Sequence, residues 1–159
     1  MAANPVNDFD LGPLSWVKTE IDHSLNQARE NLDKLASNSA DRAPVKYVLT
    51  HLHQATGALA MVGLGAATRF NEELEKLAAL LETMDAGGVP AVVASAKKGM
   101  SALSAYLDTL LAGQPDHPMR LLAPYLDAPP RVVLTDQYAP VDNLMADVFR
   151  YRYRPRPGE

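Results

Sequence analysis

The chain has 159 residues and a formal net charge of −4, with 15 Lys and Arg residues against 19 Asp and Glu residues. Hydrophobic residues make up 47% and charged residues 21% of the sequence, a globular composition that excludes disorder of the whole chain. Cysteine is absent, which excludes disulfides, thiolate zinc sites and a cysteine nucleophile. The length fits one domain with a buried core, with room for a tail.

The charge and hydropathy patterns predict neither a nucleic-acid partner nor a membrane span. The acidic balance disfavours a nucleic-acid-binding surface over the whole domain. No stretch approaches the roughly 18 uncharged apolar residues that a transmembrane helix needs. Residues 1–8 lack the basic and apolar regions of a secretory signal, so we expect a cytoplasmic domain.

Four segments carry core-facing residues at steps of three and four, the spacing of amphipathic helices. They follow a polar lead-in at residues 1–12. The four stripes are Leu14, Val17, Ile21, Leu25, Ala28, Leu32 and Leu35; Val45, Val48, Leu49, Leu52, Thr56 and Leu59; Ala67, Phe70, Leu74, Leu77, Leu81 and Met84; and Val93, Ala96, Met100, Leu103, Leu107 and Leu110. Trp16 lies at the shoulder of the first stripe, where we expect it to close one end of the core.

Short breaks separate the four stripes. Residues 38–41 are polar, residues 63–65 read Gly-Leu-Gly, and residues 86–90 contain two glycines suited to a left-handed helix cap. The fourth stripe ends at Gly113. Four amphipathic helices with short connections predict an all-α fold, an antiparallel up-down four-helix bundle.

The sequence changes character after Gly113. Residues 119–126 predict one short additional helix, residues 132–134 a short extended piece, and the remainder an irregular tail. We therefore divide the chain into the lead-in, a helical bundle at 13–127 and a tail or linker at 128–159. The basic and aromatic run at 149–156 is typical of a solvated linker to a further domain.

Few residues offer chemistry. No phosphate-binding loop, zinc-binding helix motif or hydrolase nucleophile motif is present. His51 and His53 lie about 200° apart on the second helix, so they cannot share a ligand, and we expect neither a metal nor a cofactor. Met61, Met84 and Met100 are interpreted as core filler.

His53 is the strongest candidate because of its place on the helix. It lies about 100° from the centre of the second stripe, where an imidazole can reach solvent. Gly57 is its neighbour one turn later, and a glycine inside a helix costs on the order of 1 kcal/mol relative to alanine. Clearance for a phosphoryl group or a partner protein would compensate for that loss. The alternative is a simply solvated histidine, with Gly57 allowing close helix packing.

The segment from His53 to Leu64 resembles the histidine phosphotransfer (HPt) signature. That signature places a Lys-Gly pair three and four residues after the histidine and a Gly-Leu pair ten and eleven residues after it. Gly57 and Gly63-Leu64 match, and an acidic helix with Glu72-Glu73 follows at the right distance. The resemblance implies an HPt-like bundle in which His53 accepts a phosphoryl group, supported by Gln54, Thr56 and Gly57.

The lead-in to the first helix, Leu14 to Ile21 with Trp16-Val17-Lys18, narrows the resemblance. With it, the chain is similar to the amino-terminal module of CheA-like hybrid sensor histidine kinases of the ChpA/PilL type. Those kinases belong to the type IV pilus chemosensory systems that control twitching motility. The resemblance implies protein partners: a kinase core, a receiver domain or a pilus scaffold at the cell pole. No ATP site is visible, so any kinase activity would belong to a parent protein.

One position departs from the signature. Thr56 stands where the family has a lysine, and threonine supplies no cation beside a phosphohistidine. On this ground the sequence favours a degenerate module that docks or localises a partner. The alternatives are an active phosphocarrier with His53 as acceptor and a free-standing helical adaptor.

Overall fold

The computed structural model describes residues 11–114 and residue 121. Within that part of the chain every regular element is helical, which confirms the all-α prediction. The four helices are α1 (Leu11–Ser37), α2 (Ala43–Met61), α3 (Gly65–Ala79) and α4 (Val89–Leu111). Two short 3₁₀ turns, Leu80–Glu82 and Ala86–Gly88, connect α3 to α4.

Proline and glycine set several helix ends. Pro44 and Pro90 occupy the first turns of α2 and α4, where the missing amide is not needed. Gly63 and Gly113 have φ values of +80° and +91°, a region that glycine enters without a Cβ clash. After α2, the amides of Gly63 and Leu64 donate to the carbonyls of Ala60 and Leu59, the paired bonds of a Schellman cap.

The four helices enclose one hydrophobic core. Helix α1 packs against α2 and α4, and α3 packs against the same two helices. The core draws on all four predicted stripes, and Phe70 is its largest fully buried side chain. Leu121, the one described residue beyond position 114, is also buried in this core.

The helix ends differ from the predicted ones at three places. Helix α1 already includes Leu11 and Gly12, which were predicted to belong to the lead-in. Helix α3 ends at Ala79, and the chain continues to Met84 through a 3₁₀ turn. The glycines before α4 adopt no left-handed cap; Gly88 has a φ of −91° and caps the start of α4. The predictions for residues 119–126, 132–134 and the tail lie outside the described residues, Leu121 excepted.

Two side chains assigned to the core are on the surface. Trp16 is 84% exposed, because it lies more than 100° around α1 from the centre of the buried stripe. Met61 is 85% exposed at the end of α2, whereas Met100 is fully buried as expected. In the part of the chain that the structure covers, no helix has the length and apolar character of a membrane span.

Arg42 fastens the start of α2 to the end of α3. Its guanidinium donates to the carbonyl oxygens of Ser39 at 2.6 Å, Leu81 at 2.6 Å and Met84 at 2.8 Å. These carbonyls lie at chain turns, where helical partners run out. One side chain therefore fixes the relative position of the two helices that carry His53 and its neighbours.

Replacing Arg42 is expected to destabilise the fold. Arg42→Met should lower the free energy of unfolding by about 1–3 kcal/mol, because partly buried carbonyls lose a charged donor. Arg42→Lys keeps the charge but not the planar guanidinium, so its free energy of unfolding should lie between those of the wild type and Arg42→Met. Urea denaturation followed by circular dichroism measures the difference. An Arg42→Met protein as stable as the wild type would contradict this role.

Lys18 links α1 to α4. Its ammonium contacts Asp22 on its own helix and Asp108 of α4 at 3.0 Å, and Ser104 donates to Asp22 at 2.8 Å. Burial alone would lower the pKa of Lys18, but hydrogen bonds and charge attraction from Asp22 and Asp108 together outweigh it and raise the pKa.

The raised pKa of Lys18 predicts a stability contribution that is lost at alkaline pH. The contribution is fully present below the unfolded-state pKa of about 10.4 and disappears as the pH rises through the higher folded-state value. Lys18→Met keeps the apolar stem and should lower the free energy of unfolding by about 1–2 kcal/mol at pH 7. The difference from wild type should shrink once the pH exceeds the folded-state pKa of Lys18. Urea denaturation across this pH series tests it, with Lys46→Met as the exposed-lysine control.

Candidate functional site

His53 projects from α2 into solvent with one ring nitrogen held. Its side chain is 79% exposed, and Nδ1 lies 2.9 Å from Oε1 of Glu75 on α3. Because a carboxylate only accepts hydrogen bonds, Nδ1 carries the proton of the neutral ring. Nε2 is then the unprotonated nitrogen, and within the described residues it has no hydrogen-bond partner. The geometry leaves an accessible imidazole with its lone pair free to act as a nucleophile.

Glu75 is held in turn by Thr56. The Thr56 hydroxyl lies 2.7 Å from Oε2 of Glu75, so the two carboxylate oxygens contact two residues of α2, one turn apart. Thr56 is buried, whereas the Glu75 side chain is 20% exposed. Thr56, which stands where the phosphotransfer signature has a lysine, therefore contacts the same carboxylate as His53.

Asn71 lies beneath this contact, fully buried between α3 and α2. Its Nδ2 donates to the Leu52 carbonyl oxygen and to Thr56 Oγ1, each at 2.8 Å. The opposite amide orientation would set its carbonyl against the Leu52 carbonyl, two acceptors facing each other, which fixes the orientation. Oδ1 of Asn71 is buried and makes no hydrogen bond within the described residues.

Gly57 leaves the surface beside His53 open. A Cβ built on Gly57 has no heavy atom within 4 Å apart from its own helix backbone, and the backbone is not in the left-handed region. The exposed Met61 lies one turn further along the same side of α2. The predicted clearance is therefore present, and no neighbouring helix packs against Gly57.

Gln54 is the one predicted site residue that the structure directs elsewhere. Its Oε1 lies 3.2 Å from Nδ1 of His51, and no bond joins it to His53 within the described residues. Glu75 and Asn71 were not identified from the sequence. The available signal was their spacing of four, which places both polar side chains on the edge of the α3 stripe that faces α2.

No cation neutralises Glu75 among the ion pairs of the described helices. Its pair is with His53, whereas Lys76 next to it pairs with Glu73 at 3.0 Å. Arg42, which immediately precedes α2, uses its guanidinium on the carbonyl oxygens of Ser39, Leu81 and Met84. Over the same part of the chain, no group of three histidine or carboxylate side chains is arranged to hold a metal.

No protein-family model, curated protein or solved structure matches the chain. The function is therefore inferred from the geometry around His53.

The open space at Gly57 gives a direct stability prediction. Gly57→Ala is expected to raise the free energy of unfolding by about 0.5–1 kcal/mol, because alanine favours the helix and its methyl meets no neighbour. The matched control is Ala60→Gly, an exposed position of the same helix that should lose a similar amount. Urea denaturation measures both, and a Gly57→Ala protein less stable than wild type would show that the position is sterically closed.

Proposed function

We propose that the chain is an HPt-like, antiparallel up-down module from the amino-terminal part of a chemotaxis-type hybrid sensor histidine kinase, and that His53 is its phosphoacceptor. The observation that carries the proposal is the contact between Nδ1 of His53 and Glu75, on a side chain that is 79% exposed. It supplies what a phosphoaccepting imidazole needs: a defined tautomer, an unprotonated Nε2 and access from solvent. The resemblance around His53 supports the same function.

The transfer follows from this arrangement. The lone pair of Nε2 attacks the γ-phosphorus of ATP bound in a separate kinase domain, a new N–P bond forms, and the bond to the β-phosphate oxygen breaks to release ADP. The Nδ1 proton stays on the ring, so the product is an imidazolium that carries a phosphoryl group. Glu75 stabilises the positive charge that develops on that ring, as a carboxylate does for histidine in a catalytic triad. A receiver aspartate then attacks the phosphorus and restores the neutral imidazole.

The contact between His53 and Glu75 leads us to prefer an active phosphocarrier to the degenerate docking module that the sequence favoured. Thr56 weakened the phosphocarrier interpretation because it supplies no cation. Thr56 instead donates to Glu75, the residue that holds the ring, so its replacement of lysine is compatible with a functional acceptor. Gly57 leaves the surface beside His53 open to an approaching kinase or receiver domain, and the exposed Met61 one turn further offers that domain an apolar contact.

Phosphorylation of the domain tests the proposal. Incubation with the kinase catalytic core and labelled ATP should give an acid-labile label on the wild type and none on His53→Gln. His51→Gln is the matched control, a histidine of the same helix that should leave labelling intact. Loss of label in His51→Gln but not in His53→Gln, or no label on the wild type in the presence of an active kinase core, would contradict the proposal.

Docking of a protein partner is the second candidate function. Trp16 and Met61 are 84% and 85% exposed, and large apolar side chains of this kind are frequent anchors in protein interfaces. A polar scaffold of a pilus system is the partner that the resemblance suggests, with recruitment to the cell pole. A His53→Gln protein that retains partner capture, together with a wild type that takes no phosphate, would favour docking over phosphotransfer.

A further inference from the structure

The carboxylate of Glu75 is at the end of a chain of hydrogen bonds that begins in the core. Asn71 donates to Thr56 Oγ1 at 2.8 Å, Thr56 lies 2.7 Å from Glu75 Oε2, and Glu75 Oε1 lies 2.9 Å from His53 Nδ1. We propose that Asn71 and Thr56 are positioning residues that, through Glu75, keep His53 in the tautomer with a free Nε2. This inference rests on the proposed function, because it concerns how the acceptor nitrogen is prepared.

The direction of the Thr56 hydroxyl is the central step. A threonine inside a helix ordinarily donates to the carbonyl four residues earlier, and Thr56 Oγ1 does lie 3.2 Å from the Leu52 carbonyl oxygen. The hydroxyl has one hydrogen, and the shorter contact, at 2.7 Å, is the one to Glu75. Two acceptors therefore compete for a single donor.

Asn71 decides that competition. Its amide supplies the Leu52 carbonyl with a donor and gives the Thr56 oxygen a second hydrogen bond, both at 2.8 Å. With the carbonyl satisfied and its own lone pair occupied, the hydroxyl directs its hydrogen to Glu75. Asn71 thus acts on His53 without touching it.

Oδ1 of Asn71, which has no donor in the part of the chain that the structure describes, supports a positioning role. A buried acceptor without a donor is unfavourable, and an apolar side chain of similar size would avoid it. The amide is in place because its Nδ2 serves two acceptors of α2. A purely structural residue at this position would not need that pair of contacts.

The tautomer of His53 is the measurement that tests the relay. On ¹⁵N-labelled full-length chain, long-range ¹H–¹⁵N spectra recorded over a pH series distinguish Nδ1–H from Nε2–H on the neutral ring. The wild type should be Nδ1-protonated. Thr56→Val should shift the ring towards a mixture of both tautomers, and Thr56→Ser, which keeps the hydroxyl, should retain the wild-type spectrum.

Asn71→Leu supplies the second arm. The Thr56 hydroxyl should then turn back to the Leu52 carbonyl, so the variant should match Thr56→Val, and the double variant should be no further shifted. Circular dichroism establishes that each variant is folded. If Thr56→Val and Asn71→Leu are folded and keep the wild-type tautomer, the relay is overturned.

Phosphorylation by phosphoramidate, a small phosphoryl donor that needs no kinase, separates this inference from the proposed function. Thr56→Val and Asn71→Leu should react roughly fivefold more slowly at Nε2, the factor expected for one net hydrogen bond, and Thr56→Ser at the wild-type rate. If the variants shift the tautomer but His53 takes no phosphate from phosphoramidate or from the kinase core, the relay is supported and the phosphocarrier function is overturned. If His53 is phosphorylated but the variants keep the wild-type tautomer and rate, the phosphocarrier function is supported and the relay is overturned.

Discussion

A single carboxylate, shared by two side chains of the neighbouring helix, is the contact on which the site depends. Glu75 of α3 bonds His53 at 2.9 Å and Thr56 at 2.7 Å, so the imidazole is fixed only when α2 and α3 keep their relative position. The Arg42 contacts with the end of α3 secure that position from one end of the pair, and Asn71 does so within the core. The fold thus supplies an exposed ring with a rigid support.

Two features near the ring each carry a cost in stability. Gly57 weakens α2 where alanine would fit, and Asn71 buries an oxygen that finds no donor among the described residues. Folded proteins retain such departures mostly where function requires them. Both departures lie within one turn of the residues that hold His53, which is why the site is attributed to this face of the molecule rather than to the α1–α4 face.

The spacing of apolar residues was sufficient to predict the helices and their buried stripes, because burial on one helix face follows a fixed period. It also placed His53 at the surface and Thr56 near the interior. The prediction of burial was wrong for Trp16 and Met61, because it followed their apolar character rather than their angular position on the helix. It could not reveal Glu75 or Asn71 as partners of α2, because a contact between residues 19 positions apart depends on how two helices pack.

Among the described helices no cation pairs with Glu75, and this bears on how long a phosphoryl group would stay on His53. Phosphate on Nε2 would bring negative charge to a ring whose other nitrogen contacts a carboxylate, and like charges on the two sides of one ring repel each other. A lysine in place of Thr56 would relieve that repulsion and prolong the lifetime of the adduct. With threonine there, a phosphoryl group on Nε2 would leave sooner than beside a lysine, so it would be passed on rather than stored.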